Sequence, residues 1–318
     1  MRKASVGHGA LAAALVAAGG GLAAMPPEPP PRAAVEAALA RSEPGGGTLR
    51  PLRVVLLADR KDHGPEEHDY PLWQERWALL LGGSSASAAR QVNLYGASIA
   101  DGRTFEGAER VTVECARGWP SDAQFAAADA IVAFCYLPWT DVRKKQVAGY
   151  LERGGGLVVI HSATWTRPKA DPEVAAITGV GGFTRYRHGE LRVEMTAPGH
   201  PVCRGLPQTL LLLDEPYWPP TPAVDASRVT VLAVTREKVA DKDAEGQPQP
   251  LFWCHSVGRG RVFGCVPGHF SWTFDDPWFR LWLLRGVAWA AGESASRFDH
   301  LALRGARVSI PAVISLTE

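Results

Sequence analysis

The hydrophobic pattern opens on Leu52–Ala58 (LRVVLLA), a nearly continuous apolar run rich in β-branched and aliphatic residues. Such a run predicts a strand buried on both faces. Trp73, Trp77, Leu80 and Leu81 then recur at helical spacing, and Gly82–Gly83 ends that helix. Ser84–Arg110 is polar and glycine-containing and reads as a long loop with little core. Val111–Cys115 predicts a short strand, Ser121–Ala127 a helix capped by Ser121, and Ala130–Tyr136 a second buried strand. Asp141–Arg153 is an amphipathic helix closed by Gly154–Gly156, and Leu157–Ile160 is a third buried strand. Strands alternating with helices predict βαβ units and a parallel sheet with right-handed crossovers.

After Asp171 the rhythm changes. Glu190–Thr196 alternates polar and apolar positions, and Leu210–Leu213, Val229–Val234, Leu251–Cys254 and Arg261–Val266 follow at short intervals. This half predicts an antiparallel extension of the sheet. Asp275–Ala291 reads as a closing helix with Phe279, Leu283, Leu284, Val287 and Ala288 on its inner face. There is no internal repeat. The expected division is a leader at 1–24, a Pro/Ala/Gly-rich linker at 25–50, one domain at 51–292 and a tail at 293–318.

Composition narrows the partners. The chain of 318 residues is 46% hydrophobic and carries 34 Lys+Arg against 33 Asp+Glu. That is too apolar for disorder and too balanced for a nucleic-acid binder. Arg2 and Lys3 precede the short apolar run Ala10–Ala24, the form of a secretory signal. The run is short for a membrane span, so an exported protein, periplasmic or extracellular and without a span after signal removal, is expected. An uncleaved anchor is the rival reading. Loss of Arg2 and Lys3 takes the net charge from +1 to about −1, which favours a small neutral ligand over a phosphorylated one. Five cysteines without a CxxC pair do not make a disulfide scaffold, and most read as small buried apolar residues. A homo-oligomer is compatible with the sequence.

In an open parallel sheet, ligands bind beyond the carboxyl ends of the strands. Asp59–His68 follows the first strand and brings Asp62, His63, Glu67 and His68. Cys135, Tyr136 and Trp139 follow the next buried strand, and His161, Ser162, Thr164 and Trp165 follow Leu157–Ile160. Asp214, Glu215 and Tyr217 follow Leu210–Leu213, and Gly268, His269 and Trp272 follow Arg261–Val266. Together they predict a polar, titratable cleft. Taken singly, His63 and His68 read equally as solvated loop residues and His161 as a satisfied core histidine. His188, His255 and His300 read as surface or packing residues, and His200 as part of a turn.

Three chemistries suit this rim. A nucleophile elbow would use Ser162, but the flanking glycines of that motif are missing. His63, His68, His161 and His269, with Glu67, offer imidazole and carboxylate ligands for a divalent metal such as zinc, although no HExxH is present. Metal-free acid–base catalysis would use His161, Glu215 and His269.

Several segments resemble the trehalose-utilisation (ThuA-like) family of the class I glutamine amidotransferase-like superfamily. They are Gly154–Ala163 (GGGLVVIHSA), Gly199-His200-Pro201-Val202, Asp214-Glu215-Pro216-Tyr217, Gly258–Phe263 with Gly268-His269, and Thr273-Phe274-Asp275-Asp276-Pro277 with Leu284-Arg285-Gly286-Val287. Asp62-His63-Gly64 with Glu67-His68 also fits. The resemblance implies a flavodoxin-like three-layer α/β/α sandwich that acts on or senses sugars or their oxidised derivatives. Amidotransferases of that fold place a cysteine nucleophile at the elbow. Here His161-Ser162 stand there, so glutaminase activity is not expected. The expectation is a carbohydrate-processing protein of hydrolase or lyase type, with His161, Glu215, His269 and Ser162 as the reacting groups. His63, His68, Tyr136, Trp139, Trp165, Tyr217 and Trp272 would line the ligand. The alternative is a non-catalytic sugar-binding module on a degenerate enzyme fold. Of 11 tryptophans, Trp73, Trp77, Trp282 and Trp289 read as core, while Trp139, Trp165, Trp218, Trp272 and Trp278 lie where rings would stack on sugar C–H faces.

Overall fold

The structure, a computed structural model, describes residues 25–41, 48–83, 91–99 and 106–310. The expected leader lies outside these residues, as do 84–90 and 100–105 of the expected loop. In chain order the elements are α1 (Arg32–Leu39), β1 (Leu52–Ala58), α2 (Tyr70–Gly82), β2 (Val111–Arg117), α3 (Asp122–Ala127) and β3 (Ala130–Ala133). Next come α4 (Asp141–Glu152), β4 (Gly156–Ile160), α5 (Pro172–Thr178), β5 (Phe183–Tyr186), β6 (Gly189–Met195) and β7 (Thr209–Asp214). The chain continues through β8 (Tyr217–Pro220), β9 (Val229–Glu237), β10 (Gln247–Val257), β11 (Gly260–Cys265) and α6 (Pro277–Ala290).

The main sheet has nine strands in the order β2-β1-β3-β4-β11-β10-β9-β6-β7, while β5 and β8 form a separate ribbon. The strands from β2 to β11 are parallel, and from β11 outward each neighbour reverses. This is the expected α/β sandwich with an antiparallel extension. The reversals have a positional consequence. After β10, β9 and β6, strand β7 again points the same way as β11, so its carboxyl end reaches the same rim. Strand β6 runs the other way, so its first residues reach that rim too.

The apolar runs are core for the expected reason. Every residue of β1 except Arg53 is buried. Gly264 is required because a Cβ there would meet the Trp253 indole at 2.2 Å. Ser121 caps α3 through a capping box with Gln124.

The closing helix departs from the expected one-sided pattern, because every residue of α6 except Trp289 is buried. The turn Ala295–Leu301 and the segment Pro201–Cys203 pack against its outer side. Arg280 and Arg285 survive inside because each is paired, Arg280 with Asp275 at 2.9 Å and Arg285 with Asp299 at 2.8 Å.

The expected linker and tail also carry structure. Val35 and Ala38 of α1 are buried, and backbone bonds join Arg32 N to Ser309 O at 3.0 Å and Ser309 N to Pro30 O at 2.9 Å. The expected coreless loop contributes buried Val92 and Leu94, and the amides of Leu94 and Tyr95 donate to the Asp275 carboxylate. Such short segments hold too few apolar residues to leave a periodic signal. No helix among the described residues is long and apolar enough to cross a membrane. All five cysteines are free thiols.

Candidate functional site

The loop after β1 is tied to the loop after β11. Glu67 bridges to Phe270, His68 N donates to His269 O at 2.9 Å, and Ser271 N donates to Glu66 O at 2.8 Å. Glu66 and His68 take left-handed backbone conformations, with φ of 62° and 43°. His161 follows β4 directly and is also left-handed, with φ of 50°. Such backbone is costly without glycine and persists where surroundings impose it, often at functional sites. At Gly268, φ is 134° and an added Cβ would lie 3.1 Å from Ile160 Cγ2 and 3.3 Å from His161 Cβ. Fully buried Asp214 ends β7 and ties the rim together. Its Oδ1 accepts from the amides of Glu215 at 2.7 Å, Gly268 at 3.0 Å and His269 at 3.0 Å, and its Oδ2 accepts from the Thr273 hydroxyl.

These ties bring four buried side chains to one point. The ligand-type atoms of His68, His161, Glu215 and His269 all lie within 4.8 Å of one another. His161 Nδ1 donates to the Val266 carbonyl at 2.6 Å, so in the neutral ring Nε2 carries a lone pair. That Nε2 faces His68 Nε2 at 2.9 Å, the Tyr217 hydroxyl at 2.7 Å and Glu215 Oε2 at 3.2 Å. On its far side, His68 Nδ1 meets Asp62 Oδ1 at 3.1 Å and the Tyr70 hydroxyl at 2.8 Å. His269 is 1% exposed, with Nδ1 2.9 Å from Glu215 Oε2 and Nε2 3.7 Å from Glu67 Oε1. The first contact has the distance of an ion pair without the alignment of a hydrogen bond, so both ring nitrogens lack a hydrogen-bond partner. This buried group could hold a metal, since imidazoles backed by a carboxylate and a carbonyl are the donor set of zinc-class ions.

Burial alone would raise the Glu215 carboxyl, but the His161, His188 and His269 imidazoles gathered around it outweigh burial and hold the group below the ordinary carboxylate range. Burial, reinforced by the neighbouring histidines, lowers His68 and holds it neutral. The Tyr70, Tyr136 and Tyr217 hydroxyls are all raised by burial, which keeps them protonated donors. His188 shifts upward, chiefly through its hydrogen bond to Glu215.

Of the residues expected at the rim, the structure brings together His68, His161, Glu215, His269 and Tyr217. His63 borders them, with its ring centroid 3.8 Å from that of His68 and its Nδ1 bonded to Asp62. Tyr136 meets His68 edge-on at 6.0 Å, and Trp165 meets Tyr217 at 4.7 Å. Ser162 Oγ is fully buried beside Tyr70 without a hydrogen bond of proper geometry, while His161 itself takes the elbow position. Trp139 packs against Trp119, and Trp272 stacks on Phe270 at 4.2 Å. Neither makes a ring contact with His68, His161 or His269. Trp218 and Trp278 are buried, so much of the expected aromatic rim is core. Cys135 ends near this rim, but burial pushes its thiol up to about 12, away from the thiolate form.

His188 is the residue that sequence reasoning set aside. Its Nε2 lies 3.2 Å from Glu215 Oε1 because Gly189, the first residue of β6, pairs with Asp214. The available signal was topological: in an antiparallel extension, the start of one strand lies beside the end of the next. Tyr70, two residues beyond His68 at the start of α2, was missed for want of any such signal.

Known proteins share this fold. A ThuA-like protein of Bacteroides uniformis ATCC 8492 shares the fold at 18% identity, with a TM-score of 0.57 over 80% of this chain and 99% of that one. A ThuA-like protein of Parabacteroides merdae ATCC 43184, also 18% identical, gives a TM-score of 0.51 over 77% of this chain and 91% of that one. No curated protein sequence matches. The family model described as trehalose utilisation matches residues 88–290, so the chain belongs to the ThuA family of the glutamine amidotransferase-like superfamily.

Proposed function

We propose that this protein processes a carbohydrate or an oxidised sugar derivative by acid–base chemistry in the His68–His161–Glu215–His269 cleft, assisted by a divalent cation of the zinc class. One observation carries the reading. The His161 Nε2 lone pair has His68 Nε2 at 2.9 Å and the ionised Glu215 Oε2 at 3.2 Å, and all three atoms lie within 4.8 Å of one another. Such electron-rich atoms are stable together only around a shared proton or cation. Asp62 behind His68 and the Val266 carbonyl behind His161 favour the tautomers that present both Nε2 atoms as ligands.

A bound cation of this class would supply Lewis acidity and a more acidic bound water. The chain's own groups supply the rest. Tyr217, buried and protonated, donates toward the centre. Half-exposed His188, bonded to the other oxygen of Glu215, connects the cluster to solvent and gives a proton a way out. The substrate class is supported by the family's description and by the neutral overall charge.

The test compares wild type with Glu215→Gln and His161→Gln across a panel of sugars and oxidised sugars. Turnover should fall about a hundredfold or more in both variants while melting temperature holds within a few degrees. Zinc loaded onto chelator-treated protein should bind stoichiometrically in wild type and not in His161→Gln. Turnover unchanged in both variants overturns the catalytic reading, and wild type that takes up no zinc overturns the cation. The reading includes export, supported by the leader at 1–24. Finding the full-length chain in the cytosol alone would defeat that part.

A further inference from the structure

Beyond His161 the chain continues through Trp165, whose ring meets Tyr217, and Arg167, which lies on Tyr136. The Arg167 guanidinium sits 3.3 Å from the centroid of the Tyr136 ring. Tyr136 in turn reaches the cluster: its ring meets His68 at 6.0 Å, and its hydroxyl feels the charges of Asp62 and Glu215. Arg167 is exposed, and among the described residues no carboxylate forms an ion pair with it. The acids around the cleft are engaged elsewhere. Asp62 binds His63 and His68, Glu67 faces His269, and Glu215 is shared by His161, His188 and His269. Beside the cluster the chain therefore holds an exposed cation that is positioned by a ring and has no carboxylate ion-pair partner among the described residues.

We propose that Arg167 reads an anionic oxygen group on the ligand, so that the substrate is an acidic sugar, a carboxylate or a phosphate ester, instead of the neutral one suggested by net charge. This rests on the carbohydrate reading of the same cleft. Held on Tyr136, which also takes a hydrogen bond from it, the guanidinium has further N–H groups to offer and little rotamer freedom left to lose, which suits a contact to a carboxylate or phosphate.

The experiment titrates the full chain with D-glucuronate, D-glucose 6-phosphate, D-glucose, acetate and inorganic phosphate by calorimetry. It uses wild type, Arg167→Ala and Arg167→Lys, with melting curves as the check on folding. An acidic sugar should bind wild type at least about tenfold more tightly than glucose, and Arg167→Ala should weaken it about ten- to hundredfold. Arg167→Lys, which keeps the charge and loses the fork, should fall between. Preference for glucuronate or for glucose 6-phosphate identifies the carboxylate or the phosphate, and either supports the proposal. Equal binding of glucose and both acids, or acid binding in Arg167→Ala within about threefold of wild type, overturns it while leaving the carbohydrate reading intact. Acetate or phosphate bound as tightly as the acidic sugars, and lost in Arg167→Ala, keeps the anion site and removes the carbohydrate. No binding of any probe defeats both.

Discussion

Replacing Asp214 by alanine should unseat the rim that carries the His/Glu cluster before it disturbs the sheet. The Asp214 side chain is fully buried and accepts three backbone amides and one hydroxyl. Alanine leaves all of these donors in the interior without a partner, at about 1–3 kcal/mol each if nothing moved. The loop Pro267–His269 can relax and admit water, so the costs do not add, and the expected loss is about 3–5 kcal/mol. Asparagine separates geometry from charge. Its carbonyl oxygen can take over the three amides held by Oδ1, and Thr273 can turn its hydroxyl to accept. Asp214→Asn should then lose only the charge assistance, about 1–2 kcal/mol. Urea unfolding followed by fluorescence measures both variants against wild type. Zinc binding adds a second readout: it should weaken strongly in Asp214→Ala, where His269 is no longer held beside Glu215, and persist in Asp214→Asn. An alanine variant within about 1 kcal/mol of wild type, or an asparagine variant as damaged as the alanine one, would refute the reasoning.

Acid should destabilise the protein through His68. Its folded pKa lies below the ordinary 6.5, so its contribution is fully present above pH 6.5 and declines as pH falls below it, when the unfolded chain takes up a proton the folded one refuses. Wild type should lose up to about 1.4 kcal/mol per pH unit relative to His68→Asn between pH 6.5 and 5, measured by urea titration, and parallel pH profiles would contradict this. Gly268→Ala should cost about 2–4 kcal/mol, because left-handed backbone and contact with Ile160 and His161 add. Gly292→Ala, at φ 80° with nothing nearby, should cost about 1 kcal/mol, and equal melting shifts in the two would show that packing around Gly268 is slack.

The chain's own pattern determined the parallel half of this protein, the antiparallel extension, and most of the residues that meet in the buried His/Glu cluster. Strands buried on both faces must read as unbroken apolar runs, so β1 and β4 stand out, and the polar residues directly after them have to be at the carboxyl edge. The same logic reaches Glu215 and His269, each close behind a strand. Tertiary structure decided what local pattern does not encode. Strand reversal between β11 and β7 returned β7 to the common direction and carried His188 to Glu215 from the start of β6. Packing sent Trp218, Trp272 and Trp278 into the core, because a ring near a strand end is equally apolar whether sugar or protein covers it. Whether the rim histidines were solvated loop residues or a buried cluster was likewise a matter of distance. The tie between the loops after β1 and β11, and the grip of Asp214 on the second of them, brought side chains up to 201 residues apart to a single point. Contacts of that kind depend on the three-dimensional path of the backbone, which no periodicity along the chain records.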